Sequence, residues 1–156
     1  MGMEIERKFI VRNTSWKNGA KGIRYRQGYL TMDPERTVRV RVAADKGYLT
    51  IKGRGSGIVR PEFEYEISHG DATTLLDFLC LRPLIEKDRY RIEHGGFIWE
   101  VDEFLGANRG LVLAEVELVH ADQTFPIPHW AGEEVSGDPR YFNASLVKNP
   151  WIEWQD

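Results

Sequence analysis

Hydrophobic and polar residues alternate along most of this 156-residue chain. Val38, Val40 and Val42 interleave with Arg39 and Arg41. Phe63, Tyr65 and Ile67 interleave with Glu62, Glu64 and Glu66. Trp99 and Val101 interleave with Glu100 and Asp102, and Val116 and Leu118 with Glu115 and Glu117. A period of two belongs to β-strands, whose successive side chains point to opposite faces. The pattern predicts strands over 3–11, 24–32, 37–44, 48–54, 60–68, 86–93, 97–104 and 111–119. Turn residues separate them at Asp33-Pro34, Asp45-Lys46-Gly47 and His94-Gly95-Gly96, and Gly53 to Gly57 reads as a mobile loop. Two stretches break the alternation. Asp71 to Leu81 carries Leu75, Leu76, Phe78 and Leu79 at helical spacing and stops before Pro83. Asp138-Pro139 reads as a cap and first-turn proline for a helix reaching about Val147. A single helical turn is expected within His120 to Trp130.

The polar faces change the picture, because they hold formal charges and little else. Threonine, serine and glutamine, the usual fillers of a solvated face, are scarce there. The charges also sort by strand. Arg39/Arg41, Lys52 and Lys87/Arg89 make basic strands, while Glu62/Glu64, Glu100/Asp102 and Glu115/Glu117 make acidic ones. Like charges on one face repel, so a surface shaped by stability alone would mix signs. Closure of the sheet into a barrel resolves both problems. The apolar faces turn outward against helices, loops or a second subunit, and the ionic faces converge on a water-filled lumen. A polyanion carrying divalent cations would satisfy such a lumen, with arginines and lysines on phosphate oxygens and carboxylates on the metal. A lipid-carrying barrel needs the opposite alternation. The net charge of −3 gives no field for nucleic acid or an anionic membrane. No apolar leader or membrane span is visible, which implies a cytoplasmic protein. The one cysteine, Cys80, lies in an apolar run and reads as a core residue.

The charged segments also resemble a known family. Glu4-Ile5-Glu6-Arg7-Lys8 matches the ExExK signature of the CYTH superfamily, the triphosphate tunnel metalloenzymes. Thr37-Val38-Arg39-Val40-Arg41, Leu49-Thr50-Ile51-Lys52, Glu62-Phe63-Glu64, Glu86-Lys87-Asp88-Arg89-Tyr90, Trp99-Glu100-Val101-Asp102 and Leu113-Ala114-Glu115-Val116-Glu117 follow in the family's order. The resemblance implies one domain over 1–156, mainly β, built as an eight-stranded closed antiparallel tunnel with a few flanking helices. It implies Mg²⁺ or Mn²⁺ held by Glu4, Glu6, Asp102, Glu115 and Glu117, with Glu62 and Glu64 as further contributors. It implies phosphate contacts from Lys8, Arg39, Arg41, Lys52 and Arg89. The likeness is strongest to small bacterial members that act on inorganic triphosphate, in which a lysine and a tyrosine work together at the reaction centre. The matching positions are Lys87 and Tyr29, the latter in Gln27-Gly28-Tyr29-Leu30.

Hydrolysis of inorganic triphosphate to pyrophosphate and phosphate is the expected reaction. An adenylate cyclase of class IV type, a nucleoside or thiamine triphosphatase, and a non-catalytic polyphosphate-binding module are the rivals. The four histidines lack metal-ligand spacing, and the Gly53–Gly57 loop lacks the lysine and hydroxyl of a P-loop. Arg140 and Lys148 read as surface cations. The apolar outer wall permits a homodimer without requiring one.

Overall fold

The computed structural model describes residues 3–154. Nine strands form one antiparallel sheet: β1 (Met3–Val11), β2 (Ile23–Thr31), β3 (Arg36–Ala43), β4 (Lys46–Gly53), β5 (Val59–Ile67), β6 (Ile85–His94), β7 (Phe97–Phe104), β8 (Val112–Glu117) and β9 (Ala131–Glu134). Their order is β5-β4-β3-β2-β6-β7-β8-β1-β9. The sheet closes where β1 also pairs with β5, Met3 opposite Pro61 and Ile5 opposite Val59. Eight strands therefore make a barrel, and β9 extends the same edge of β1 beyond the closure, with Phe9 opposite Glu134. Closure removes the unpaired edges that would otherwise template association.

The turns follow from local chemistry. Gly95 and Gly96 both have positive φ (60° and 84°) between the paired residues His94 and Phe97, the two-residue hairpin that suits the twist of the strands. The β3–β4 turn sits one residue earlier than its composition suggests. Ala43 pairs with Lys46, and Ala44 takes φ 55°. In the β2–β3 connection the Glu35 amide donates to Asp33 Oδ1 (2.9 Å). The stretch after Gly53 is gathered by reciprocal backbone bonds between Ser56 and Val59 (2.8 and 3.1 Å).

The helices differ from their expected bounds. α1 runs His69–Phe78 and is capped by Ser68, whose hydroxyl accepts from the Asp71 amide. Leu79 to Leu81 fall outside it. Ala72 lies so close to Gly47 of β4 that a side chain there would stand 2.5 Å from its Cβ, so a glycine lets α1 lie against the sheet. The expected helix from Asp138 is broken in two. Asp138 caps a 3-10 turn at Pro139–Tyr141, Phe142 is extended (φ −70°, ψ 139°), and α2 covers Asn143–Lys148. No helical turn forms between His120 and Trp130. The Gln123 amide closes a single tight turn on the His120 carbonyl (3.1 Å), and the chain then runs without regular structure into β9, a strand too short and polar to show in the alternation.

Three apolar clusters hold the barrel. Phe9, Trp99, Val101, Val116 and Trp130 pack outside one wall, beneath the segment leading to β9. Val40, Val42, Ala72, Leu76 and Cys80 join α1 to the outside of β3 and β4. The third lies inside. Ile10, Ile85, Phe104 and Leu113 share strand parity with Lys8, Lys87, Asp102 and Glu115, and they pack with Tyr29, Tyr141, Leu146 and Val147. The barrel interior is thus charged over part of its length and sealed by an apolar plug elsewhere, a division the alternation does not reveal.

Candidate active site

The inward faces of the strands line a cavity of about 840 Å³ that takes in Glu4, Glu6, Lys8, Tyr29, Arg39, Arg41, Lys52, Glu62, Glu64, Lys87, Arg89, Glu115 and Glu117. All the residues expected at the site are there except Asp102. Ladder register explains the gathering. Glu6 stands opposite Glu117 and Lys8 opposite Glu115. Arg89 stands opposite Asp102, and Lys52 opposite Glu62. Because these pairs face the same side, the barrel forces cations and carboxylates of distant sequence into one space.

Lys87 and Arg89 are joined through Asp102. The Lys87 ammonium lies 2.8 Å from Asp102 Oδ2, and Arg89 grips both carboxylate oxygens at 2.7 and 2.8 Å. Asp102 is 3% exposed and does not line the cavity. Both Asp102 oxygens are turned to cations in the wall, so it stands apart from the cavity-lining carboxylates expected to hold the metal. Arg89 reaches on to Glu115 (3.3 Å) and Glu100 (3.3 Å). Lys8 lies 3.6 Å from Glu115 and donates to the Tyr141 carbonyl (3.2 Å). That carbonyl sits at the break between the 3-10 turn and α2. Lys52 bridges Glu4 (3.0 Å) and Glu62 (3.4 Å). Arg39 donates to the Thr50 hydroxyl (3.3 Å), which donates in turn to Glu64 (2.9 Å).

Burial and neighbouring charge set the protonation. Burial pushes the Lys87 ammonium down to about 7. Asp102 opposes this, and Arg89 and Arg41 reinforce it. Burial, with Arg39 and Arg89 nearby, lowers Arg41 to about 10. Burial and a hydrogen bond with Glu4 raise Glu62 to about 7. Burial, then Glu115 and Glu4, drive Glu6 well above the ordinary carboxylate range. Burial would raise Glu115 too, but Lys8, the hydrogen bond from Glu6, and Arg89 together hold it well below that range. In each of the carboxyl pairs Glu4–Glu62 and Glu6–Glu115, one member is thus pushed toward the protonated form and the other toward the charged form.

Close carboxylates repel, and either a proton or a cation between them relieves the repulsion. The donor set is all oxygen, which suits a hard divalent cation. Among the described residues, no three carboxylates converge on one point, so the close carboxyl pairs are where a cation would compete with a proton. The residues fit such an ion.

Several contributors escaped the sequence reading. Tyr25 stacks between Arg41 (5.1 Å) and Arg89 (5.0 Å), and its parity with Tyr29 was the available signal. Glu100 and Arg60 line the cavity. Asn143, whose Oδ1 accepts from the Lys87 ammonium at 3.4 Å, belongs to a closing segment, Arg140-Tyr141 to Asn143, that resembles bacterial family members, but only the placement of α2 reveals its contact with Lys87. Lys148 also lines the cavity, contrary to its reading as a surface cation, whereas Arg140 stays outside against Asp138 (2.7 Å).

Comparison with known proteins points the same way. The CYTH domain profile matches residues 2–148. The inorganic triphosphatase of Acetivibrio thermocellus is 55% identical over 156 residues, the whole of both chains. That of Nitrosomonas europaea is 37% identical over 154 residues, covering 92% of this chain and 96% of its own. The crystal structure of the inorganic triphosphatase NE1496 superposes with a TM-score of 0.68 at 34% identity, over 94% of this chain and 95% of its own. A putative adenylate cyclase from Bacillus halodurans shares the fold at 17% identity and a TM-score of 0.56, over 77% of this chain and 83% of its own. From its register, its charged interior and these matches, the chain belongs to the CYTH family.

Proposed function

We propose that this protein hydrolyses inorganic triphosphate to pyrophosphate and phosphate within the barrel. One observation carries the reading: Lys8, Arg39, Arg41, Lys52 and Arg89 line the same cavity as Glu4, Glu6, Glu62 and Glu115. An anion with several phosphates needs such cations, and a pure anion binder gains nothing from the carboxylates. The curated relatives named inorganic triphosphatase support the substrate.

Phosphoryl transfer depends on in-line placement and charge neutralisation more than on covalent chemistry. The planar guanidinium forks of Arg39, Arg41 and Arg89 suit phosphate edges, and Lys8 and Lys52 add point charges. Glu4, Glu6, Glu62, Glu115 and Glu117 would hold Mg²⁺ or Mn²⁺, with Glu64 beside them. When bound, the cation supplies charge neutralisation at the phosphate oxygens. Lys87, lowered to about 7, can take a proton near neutral pH. Water adds to the terminal phosphorus, the bond to the pyrophosphate oxygen breaks, and the water's proton passes to Lys87. Asp102 and Asn143 hold the lysine in place, and Tyr29 is poised on the same wall to orient the water.

No element of the cavity selects a nucleoside. Phosphate release should be measured from triphosphate, pyrophosphate, ATP and thiamine triphosphate, each with Mg²⁺, Mn²⁺ or chelator, and with cyclic AMP followed in parallel. Release from triphosphate with metal, well above release from ATP, is expected. Equal release from every triphosphate compound, or cyclic AMP from ATP, would replace the proposal with a rival of the same fold.

A further inference from the structure

Gln27 is wholly buried, yet neither atom of its side-chain amide has a hydrogen-bond partner in the protein. Only three other buried side-chain atoms among the described residues share this state: Arg39 Nε, Arg41 Nε and Trp99 Nε1. Two of the three belong to arginines of the anion site. Gln27 lies on the inner face of β2, directly opposite Arg41 of β3 and Ile85 of β6. Its neighbours two residues away, Tyr25 and Tyr29, stand opposite Lys87 and Arg39. The register thus sets Gln27 between Arg41 and Ile85, the start of the apolar plug, with Arg39 and Lys87 one inward position away on the neighbouring strands.

A buried amide without partners costs stability, because its hydrogen bonds to water are lost and not replaced. An apolar side chain would fill the site beside Ile85 more cheaply. Gln27 offers something an apolar residue lacks, a neutral acceptor next to cations. A carboxylate there would satisfy the arginines but compete with phosphate for them. An amide oxygen can orient a guanidinium without cancelling its charge.

We propose that Gln27 is a positioning residue for the anion site. Gln27 and Arg41 face each other across the β2–β3 ladder with both groups unpaired; one buried water between Oε1 and the inner N–H of Arg41 would couple them and turn the outer pair of N–H groups toward the phosphate. The inference rests on the reading of the cavity as a triphosphate site.

The test compares the wild-type chain with Gln27→Met, which keeps length and apolar volume but removes the amide. Triphosphate binding is measured by calorimetry in EDTA, where no turnover occurs. Melting temperature is measured without ligand, and kcat and KM are measured with Mg²⁺. Binding should weaken about tenfold, the size expected when a charged donor loses its orienting partner. KM should rise in step, kcat should stay within about twofold, and the ligand-free melting temperature should be unchanged or higher. Wild-type affinity in Gln27→Met would overturn the inference while leaving the triphosphate reading intact. A wild-type chain that neither binds nor cleaves triphosphate would instead sink that reading. If Gln27→Met does not fold, Gln27→Leu is the second variant. Failure of both to fold would assign Gln27 to the scaffold and overturn the inference.

Discussion

At the residue scale the account turns on Lys87. Its ammonium touches Asp102 and approaches Asn143, and it is wholly buried beside two arginines. Lys87→Ala should lower kcat by at least about 100-fold, the lower end for loss of a general base, with a much smaller change in KM. Lys87→Arg separates the two roles a lysine can play here. It keeps the positive charge but cannot release a proton near neutrality, so it should remain as inactive as the alanine variant in single-turnover assays. Near-wild-type turnover would make Lys87 a phosphate contact only. The sign of the pH dependence follows from burial. The base is free when deprotonated, so kcat should climb with pH through about 7 and level off above it, and this acid limb should vanish in Lys87→Arg. Strand parity alone made the inward direction of Lys87, Arg39 and Glu115 legible. It could not show that Asp102 would be consumed by Arg89 and Lys87, because that depends on which pairs the register sets side by side.

At the scale of elements, the eight barrel strands were legible because each carries a clear period of two, and the hairpin at Gly95-Gly96 because two glycines permit its backbone. The C-terminal segment was only half legible. Asp138-Pro139 signalled a start, but nothing local signalled the extended Phe142 that redirects the chain, so that the Tyr141 carbonyl meets Lys8 and Asn143 meets Lys87. α2 acts as a stopper whose Leu146 is fully buried in the inner apolar cluster. Leu146→Ala should cost about 2–5 kcal/mol of unfolding free energy, as large-to-small core substitutions do, measurable by urea denaturation. If the substitution is silent, α2 does not seal the barrel. β9 stayed hidden because four residues without apolar alternation give no periodic signal, and its pairing is fixed by the partner strand.

For the whole molecule, the division of labour is between apolar clusters that hold the barrel wall and plug one part of its interior, and a charged cavity that carries both signs. The interior ion pairs are costly to desolvate and repay that cost poorly, so a ligand that binds the folded state should stabilise it by mass action. In Lys87→Ala, where turnover is blocked, triphosphate with Mg²⁺ at 100 times its dissociation constant should therefore add about 2.7 kcal/mol of stability, read as a rise in melting temperature. Inorganic phosphate at the same concentration should add far less, since one phosphate spans few of the cations. The sequence disclosed the barrel and its filling because charge and parity are local facts. It did not disclose the plug, because Ile10, Ile85, Phe104 and Leu113 continue inward parities whose other members are charged, and only the three-dimensional stacking shows where the ionic layers stop.

The most direct test is ³¹P NMR of inorganic triphosphate incubated with the protein and Mg²⁺. The account predicts loss of the triphosphate resonances with one pyrophosphate and one phosphate appearing for each molecule consumed, halted by EDTA and absent in Lys87→Ala. An unchanged triphosphate spectrum, or cleavage that persists at full rate in Lys87→Ala, would contradict it.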